Sequence, residues 1–125
     1  MVVVGAGYIG LEVASVATNL GIEVSIIEMA NRVMNRTVDP IISSYYHKLH
    51  ENHGVKIYLD NGLKEFQGKN SVDKVLCSDG LELEADLVVV GAGVLPNQEI
   101  ASNAGLECDN GIMVNEFGET SDKNV

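Results

Sequence analysis

The sequence predicts an α/β domain of three layers: a central parallel sheet, helices on both of its faces, and an antiparallel β-meander as one crossover. Three observations carry that expectation. The chain opens on an unbroken apolar run, Met1-Val2-Val3-Val4, with glycines directly behind it, the texture of a strand buried on both faces. Helix-like and strand-like periodicities then alternate, as in consecutive βαβ units. From Leu63 to Leu83 the texture changes to short alternating segments split by turn residues.

After the first strand, Ile9 to Leu20 carries apolar residues at Ile9, Val13, Val16, Ala17 and Leu20, spacing that traces one face of a helix. Gly21 stands just past its end. Glu23 to Glu28 reads as the second strand through Val24, Ile26 and Ile27. Strand, helix and strand make one βαβ unit, whose crossover is right-handed in nearly all proteins. Asp39-Pro40 starts the next helix, with an acceptor at the N-cap and proline where its missing N–H costs nothing. Ile42, Tyr45, Tyr46, Leu49 and His53 follow at helical spacing, Gly54 ends the helix, and Val55 to Tyr58 forms the third strand. The meander comprises Lys64–Phe66, Val72–Cys77 and Glu82–Leu83, with turns at Gly68-Lys69-Asn70 and Asp79-Gly80. Asp86 to Val90 returns to the parallel sheet before Gly91-Ala92-Gly93. A short helix around Gln98–Ala104 and a strand at Ile112–Val114 complete the elements.

Composition narrows the function classes. Eight basic against 18 acidic residues leave 125 residues with a formal charge of −10, so no basic face for nucleic acid is expected. With 46% apolar and 21% charged residues the chain is of ordinary globular composition. Its apolar runs, such as Leu87 to Val94, fall far short of the roughly 20 residues that span a bilayer, and no membrane partner is expected. Cys77 and Cys108 form neither a CxxC pair nor a metal cluster and read as free thiols of a reducing, cytoplasmic compartment. Asn35-Arg36-Thr37 reads as a chance sequon. The abrupt apolar start and the polar end, Thr120 to Val125, suggest that residues 1–125 are one domain excised from a longer chain.

Gly5-Ala6-Gly7-Tyr8-Ile9-Gly10 matches GxGxxG behind a strand and ahead of an amphipathic helix, the context that makes the motif a Rossmann-like dinucleotide fingerprint. Gly5 serves the tight turn, Gly7 the approach of a pyrophosphate, and Gly10 close helix–strand packing. The helix N-terminus offers unpaired N–H groups to the phosphates. Glu28, 18 residues beyond Gly10, stands where a carboxylate accepts hydrogen bonds from the adenosine ribose. A 2′-phosphate there would meet a like charge, costing about 1 to 4 kcal/mol at contact distance. That favours NAD(H) over NADP(H) by roughly tenfold to several hundredfold. Arg32 and Arg36 moderate the preference, because nearby arginines can serve a 2′-phosphate. The competing reading of Glu28 is a solvated acid at a strand end.

These segments, with Arg32-Val33-Met34-Asn35-Arg36 and Gly91-Ala92-Gly93-Val94-Leu95-Pro96-Asn97, resemble the NAD(H)-binding domain of the pyridine nucleotide–disulfide oxidoreductase superfamily. Cys108-Asp109-Asn110-Gly111-Ile112 and Thr120-Ser121-Asp122 are most similar to FAD-dependent NADH:ferredoxin and rubredoxin reductases that feed oxygenases. The resemblance implies an FAD domain split around this one, bound to flavin mainly outside residues 1–125. It implies that NADH gives a hydride to FAD, which passes single electrons to a ferredoxin or rubredoxin. Tyr8 matches a residue that covers the flavin, Glu12 one that helps place the nicotinamide, and Gly93 a loop that lines the nicotinamide pocket. Ile9 lies inside the same motif, and Met29 stands where NADPH-using relatives often carry arginine.

Each role has a plainer rival. Glu12 also complements a helix dipole, Tyr8 could be a packed loop aromatic, and Gly93 a turn glycine. His47, His50 and His53, with Glu51 beside the first two, read as solvated or half-buried residues. Glu82 and Glu84 read as one exposed strand face. No nucleophile or general base stands out. At the level of function, the rivals are a flavin disulfide reductase or NADH oxidase and a non-catalytic NADH-sensing module. A glycine loop that holds FAD is a further alternative, disfavoured by Tyr8-Ile9-Gly10-Leu11-Glu12.

Overall fold

A computed structural model describes residues 1–125. Its elements are β1 (Val2–Val4), α1 (Tyr8–Asn19), β2 (Ser25–Ile27), α2 (Pro40–Asn52), β3 (Lys56–Tyr58), β4 (Leu63–Gln67), β5 (Lys74–Cys77), β6 (Glu82–Glu84), β7 (Val88–Val90) and α3 (Glu99–Asn103). They group into two compact units, Met1–Gly93 and Val94–Val125.

In the first unit β1, β2, β3 and β7 form a parallel sheet in the order β3-β2-β1-β7, and β4, β5 and β6 an antiparallel sheet in sequence order. The parallel register explains the layering. Ile57, Ile26, Val3 and Val89 align in one row, and the rows on either side place Val2 beside Val88 and Tyr58 beside Ile27 and Val4. Adjacent rows of a strand point to opposite faces. The Val3–Ile26 row packs with Leu11, Ala14, Ala17, Val33 and Met34. Val2, Val4 and Ile27 pack instead with Val75, Cys77 and Ala85 of the meander and its exit.

The three layers are those expected, with a refinement in where the helices lie. Within this unit the helices occupy one face and the meander the other. Two right-handed crossovers taken in the same direction, β1 to β2 and β2 to β3, must put both helices on one side. The return from edge strand β3 to β7 crosses the opposite side.

The helix faces differ from the periodicity reading. In α1 the buried residues are Gly10, Leu11, Ala14 and Ala17, whereas Ile9, Val16 and Leu20 are 61%, 61% and 74% exposed. Close packing on the sheet selects the small side chains, so the bulkiest apolar residues are a poor guide to the inner face. In α2 the buried residues are Ser43 and His50, while Ile42, Tyr45 and Tyr46 are exposed. Ser43 anchors this face by donating its hydroxyl proton to the Val33 carbonyl at 2.6 Å. The helix start is as expected: Asp39 accepts from the Ile41 N–H at 3.0 Å, with Pro40 as first helical residue. Glu82 and Glu84 are exposed while Leu81 and Leu83 pack inward, and Glu82 pairs across the meander with Lys74 at 2.6 Å.

In the second unit the strand expected at Ile112–Val114 is absent. Asp109 donates its N–H to the Gly111 carbonyl, and a single bridge joins Cys108 to Ile112. The segment folds tightly on itself, so Ile112 to Val114 gain no neighbouring strand and stay about half exposed.

Candidate functional site: the glycine loop and the carboxyl edge of the sheet

The glycine loop joins β1 to α1 at the carboxyl edge of the parallel sheet. Its three glycines have separable reasons. Gly5 turns the chain at φ +99°, and a Cβ there would meet the Gly91 carbonyl oxygen at 2.5 Å. A Cβ on Gly10 would lie 2.0 Å from the Gly5 oxygen, so the approach of α1 to β1 requires glycine. Gly7 is different. Its φ of −77° suits any residue, and a Cβ there would have no atom within 4 Å. Nothing within residues 1–125 demands a glycine at this position. No side chain caps α1 either, so the first N–H groups of the helix, which lack intrahelical partners, stay unclaimed beside Gly7.

Glu28 follows β2 and is half-buried. Its Oε2 accepts from the Ala6 N–H at 2.7 Å and its Oε1 from the Ala30 N–H at 2.8 Å. Ala6 is thereby held at both ends, since its carbonyl accepts from the Met34 N–H at 2.8 Å. Glu28 therefore braces the glycine loop as well as standing at its mouth. A carboxylate offers about four lone-pair sites, so two remain for a ligand.

Gly5, Gly7, Glu28, Arg36 and Gly93 line one cavity of about 490 Å³, with Met29, Asn35, Asn61 and Ala92. That volume is in the range of small-molecule sites. Gly93 has φ +112°, and its Cβ position is 3.8 Å from Arg36 Nη1, so the two lie in contact along the cavity lining. Arg32, which with Arg36 is expected near Glu28 where it could serve a 2′-phosphate, does not line it. Its guanidinium donates to the Val38 and Asn35 carbonyls, both at 2.8 Å, and it ties down the loop that presents Arg36. Ile9 and Gly10 do not line this cavity.

Tyr8 and Glu12 sit elsewhere. They line a second cavity of about 450 Å³ between α1 and α2, with Tyr46, His50 and His53. Because α1 begins at Tyr8, Glu12 stands one turn inside the helix, beyond the first-turn position where an acid best complements the dipole. His50 is more buried than its sequence context suggests, and burial, then the neighbouring His53, lowers its pKa below the usual 6.5. His47 pairs with Glu51 at 3.2 Å, and His53 bonds the Leu49 carbonyl. Sequence reasoning missed Asn61, whose setting, Asp60-Asn61-Gly62, has the composition of an ordinary turn.

A glycine loop that opens a helix at the carboxyl edge of a parallel sheet, with an acid ending the second strand, defines the Rossmann-like class. The chain belongs to the pyridine nucleotide-disulphide oxidoreductase family, whose model matches residues 1–125. It is 45% identical to putidaredoxin reductase CamA of Pseudomonas putida over 98% of its length and 30% of that protein's. It is 41% identical to rhodocoxin reductase of Rhodococcus erythropolis, over 100% of its own length and 30% of the other's. Among solved structures, the ferredoxin reductase of the CYP199A2 system from Rhodopseudomonas palustris superposes with a TM-score of 0.90 at 48% identity, over 97% of this chain and 30% of that one. The chain thus spans about a third of the length of these relatives. No helix is long and apolar enough to cross a membrane.

Proposed function

We propose that this chain binds NADH and positions its nicotinamide for hydride transfer to FAD, in a flavoprotein reductase that passes electrons to a ferredoxin or rubredoxin. Residues 1–125 are the NAD(H)-binding domain of that larger protein, and the flavin is held mainly by other parts of it. The observation that carries the reading is Gly7: a glycine that neither backbone geometry nor packing requires, beside unclaimed helical amides and facing a cavity that Glu28 also lines. A diphosphate laid against the backbone supplies the missing reason. Glu28 then takes the adenosine ribose with its remaining lone pairs, and its charge disfavours a 2′-phosphate. Arg36, which makes no ion pair, is the cation available to the phosphates, with Gly93 in contact with it.

The electron acceptor follows from likeness. Several relatives are named as reductases of ferredoxin- or rubredoxin-type proteins, and one solved relative is a covalent complex of putidaredoxin reductase with putidaredoxin. The nicotinamide and flavin supply the redox chemistry when bound, and this chain supplies position and electrostatics. Calorimetric titration with NADH, NADPH and FAD tests the reading. NADH should bind most tightly, NADPH roughly tenfold to several hundredfold more weakly, and FAD not measurably. Absence of heat with NADH, or tighter binding of FAD, contradicts it.

A further inference from the structure

The cavity crosses the carboxyl ends of all four parallel strands. Gly91 to Gly93 lie past β7, Gly5 and Gly7 past β1, Glu28 to Ala30 past β2, and Asn61 and Gly62 past β3. Neighbouring strands stand about 4.8 Å apart, so these groups form a row along which an extended ligand is read piece by piece. With a diphosphate at Gly7 and a ribose at Glu28, the next position, at the end of β3, meets the base on that ribose.

Asn61 occupies that position. It is 4% exposed, and its backbone N–H donates to the Glu28 carbonyl at 2.9 Å, which sets it directly beside the ribose carboxylate. Its side chain has a defined orientation. Ser78 Oγ accepts from the Gly62 N–H at 3.0 Å and donates its hydroxyl proton to Asn61 Oδ1 at 3.1 Å. The amide oxygen therefore faces Ser78 and the NH2 group faces away from it. That NH2 makes no hydrogen bond within the protein and is not sealed from solvent. Asn61 is one of the residues that line the cavity. Met29, 79% exposed, adds an apolar flank, with its Cγ 3.1 Å from the Cβ position of Gly62.

We propose that Asn61 reads the adenine of the bound dinucleotide by donating an N–H of Nδ2 to a ring nitrogen of the base. The inference rests on the NADH reading above and deepens it at the adenosine end. The ligand edge must be an acceptor, because Nδ2 only donates.

The test titrates the wild-type protein with ADP and with three ADP analogues in which N1, N3 or N7 of the base is replaced by C–H. One of the three should bind about three- to tenfold more weakly, the worth of one hydrogen bond, and the other two like ADP. In Asn61→Leu that difference should vanish. Asn61→Asp, which keeps an acceptor for Ser78, repeats the comparison if the leucine variant does not fold. Equal binding of all three analogues to the wild type overturns the assignment while leaving NADH binding intact. A difference that persists in the variants overturns it too. Failure of the wild type to bind either ADP or NADH overturns the dinucleotide reading and this proposal together.

Discussion

The two cavities of the Met1–Gly93 unit are nearly equal in volume, about 490 and 450 Å³, yet they are built differently. The one at the sheet edge is lined by loop residues at the strand ends, among them Gly5 and Gly7 of the motif, Gly62, Gly91 and Gly93, and by one braced carboxylate. The one between α1 and α2 is walled by side chains of two helices: Tyr8, Glu12, Tyr46, His50 and His53. Glycines leave backbone open to a ligand at fixed places on the strand ends, whereas a wall of side chains is set by which residues happen to face inward. The motif residues therefore divide. Gly5, Gly7, Glu28, Arg36 and Gly93 meet in the first cavity, and Tyr8 and Glu12 border the second.

Glu28→Ala should sharpen this contrast most. It should reduce the preference for NADH over NADPH by about tenfold to several hundredfold, measured as the ratio of dissociation constants. It should also lower stability by about 1 to 3 kcal/mol, because the Ala6 and Ala30 amides lose their acceptor. Gly10→Ala, which drives a Cβ toward the Gly5 oxygen, should cost about 1 to 3 kcal/mol in denaturant unfolding, as overpacked sites do. Tyr8→Ala should leave ADP affinity within about twofold by calorimetry, since Tyr8 borders the other cavity; a tenfold loss would merge the two sites.

The smallest effect concerns His50. Its pKa is lowered in the folded protein, so below the unfolded value of about 6.5 the unfolded chain binds more protons than the native one. Stability should therefore fall as pH drops below about 6.5, by well under the cost of a core cavity, and His50→Gln should flatten that part of the urea-midpoint profile.

How much of this was legible in the sequence depends on what each signal encodes. The βαβ unit, the meander turns and the Asp39-Pro40 helix start were legible, because each rests on local backbone chemistry. The inner face of α1 was not: Ile9, Val16 and Leu20 share a face as convincing on paper as that of Gly10, Ala14 and Ala17, and only the close sheet contact chooses the smaller set. Gly5, Gly7 and Glu28 come together at one cavity because the motif fixes them relative to strand ends. Arg32 and Arg36 were indistinguishable by spacing. Only in three dimensions does Arg32 turn to two backbone carbonyls and Arg36 to the cavity. Asn61 was hidden because its role depends on Ser78, 17 residues away.

The most direct test of the account is Gly7→Ala, compared with wild type by thermal unfolding and NADH calorimetry. The added methyl meets open space within residues 1–125, so the melting temperature should stay within a degree or two, while NADH affinity drops about tenfold or more because the diphosphate can no longer reach the loop backbone. Unchanged NADH affinity in a folded Gly7→Ala protein contradicts the claim that this glycine is there for the ligand.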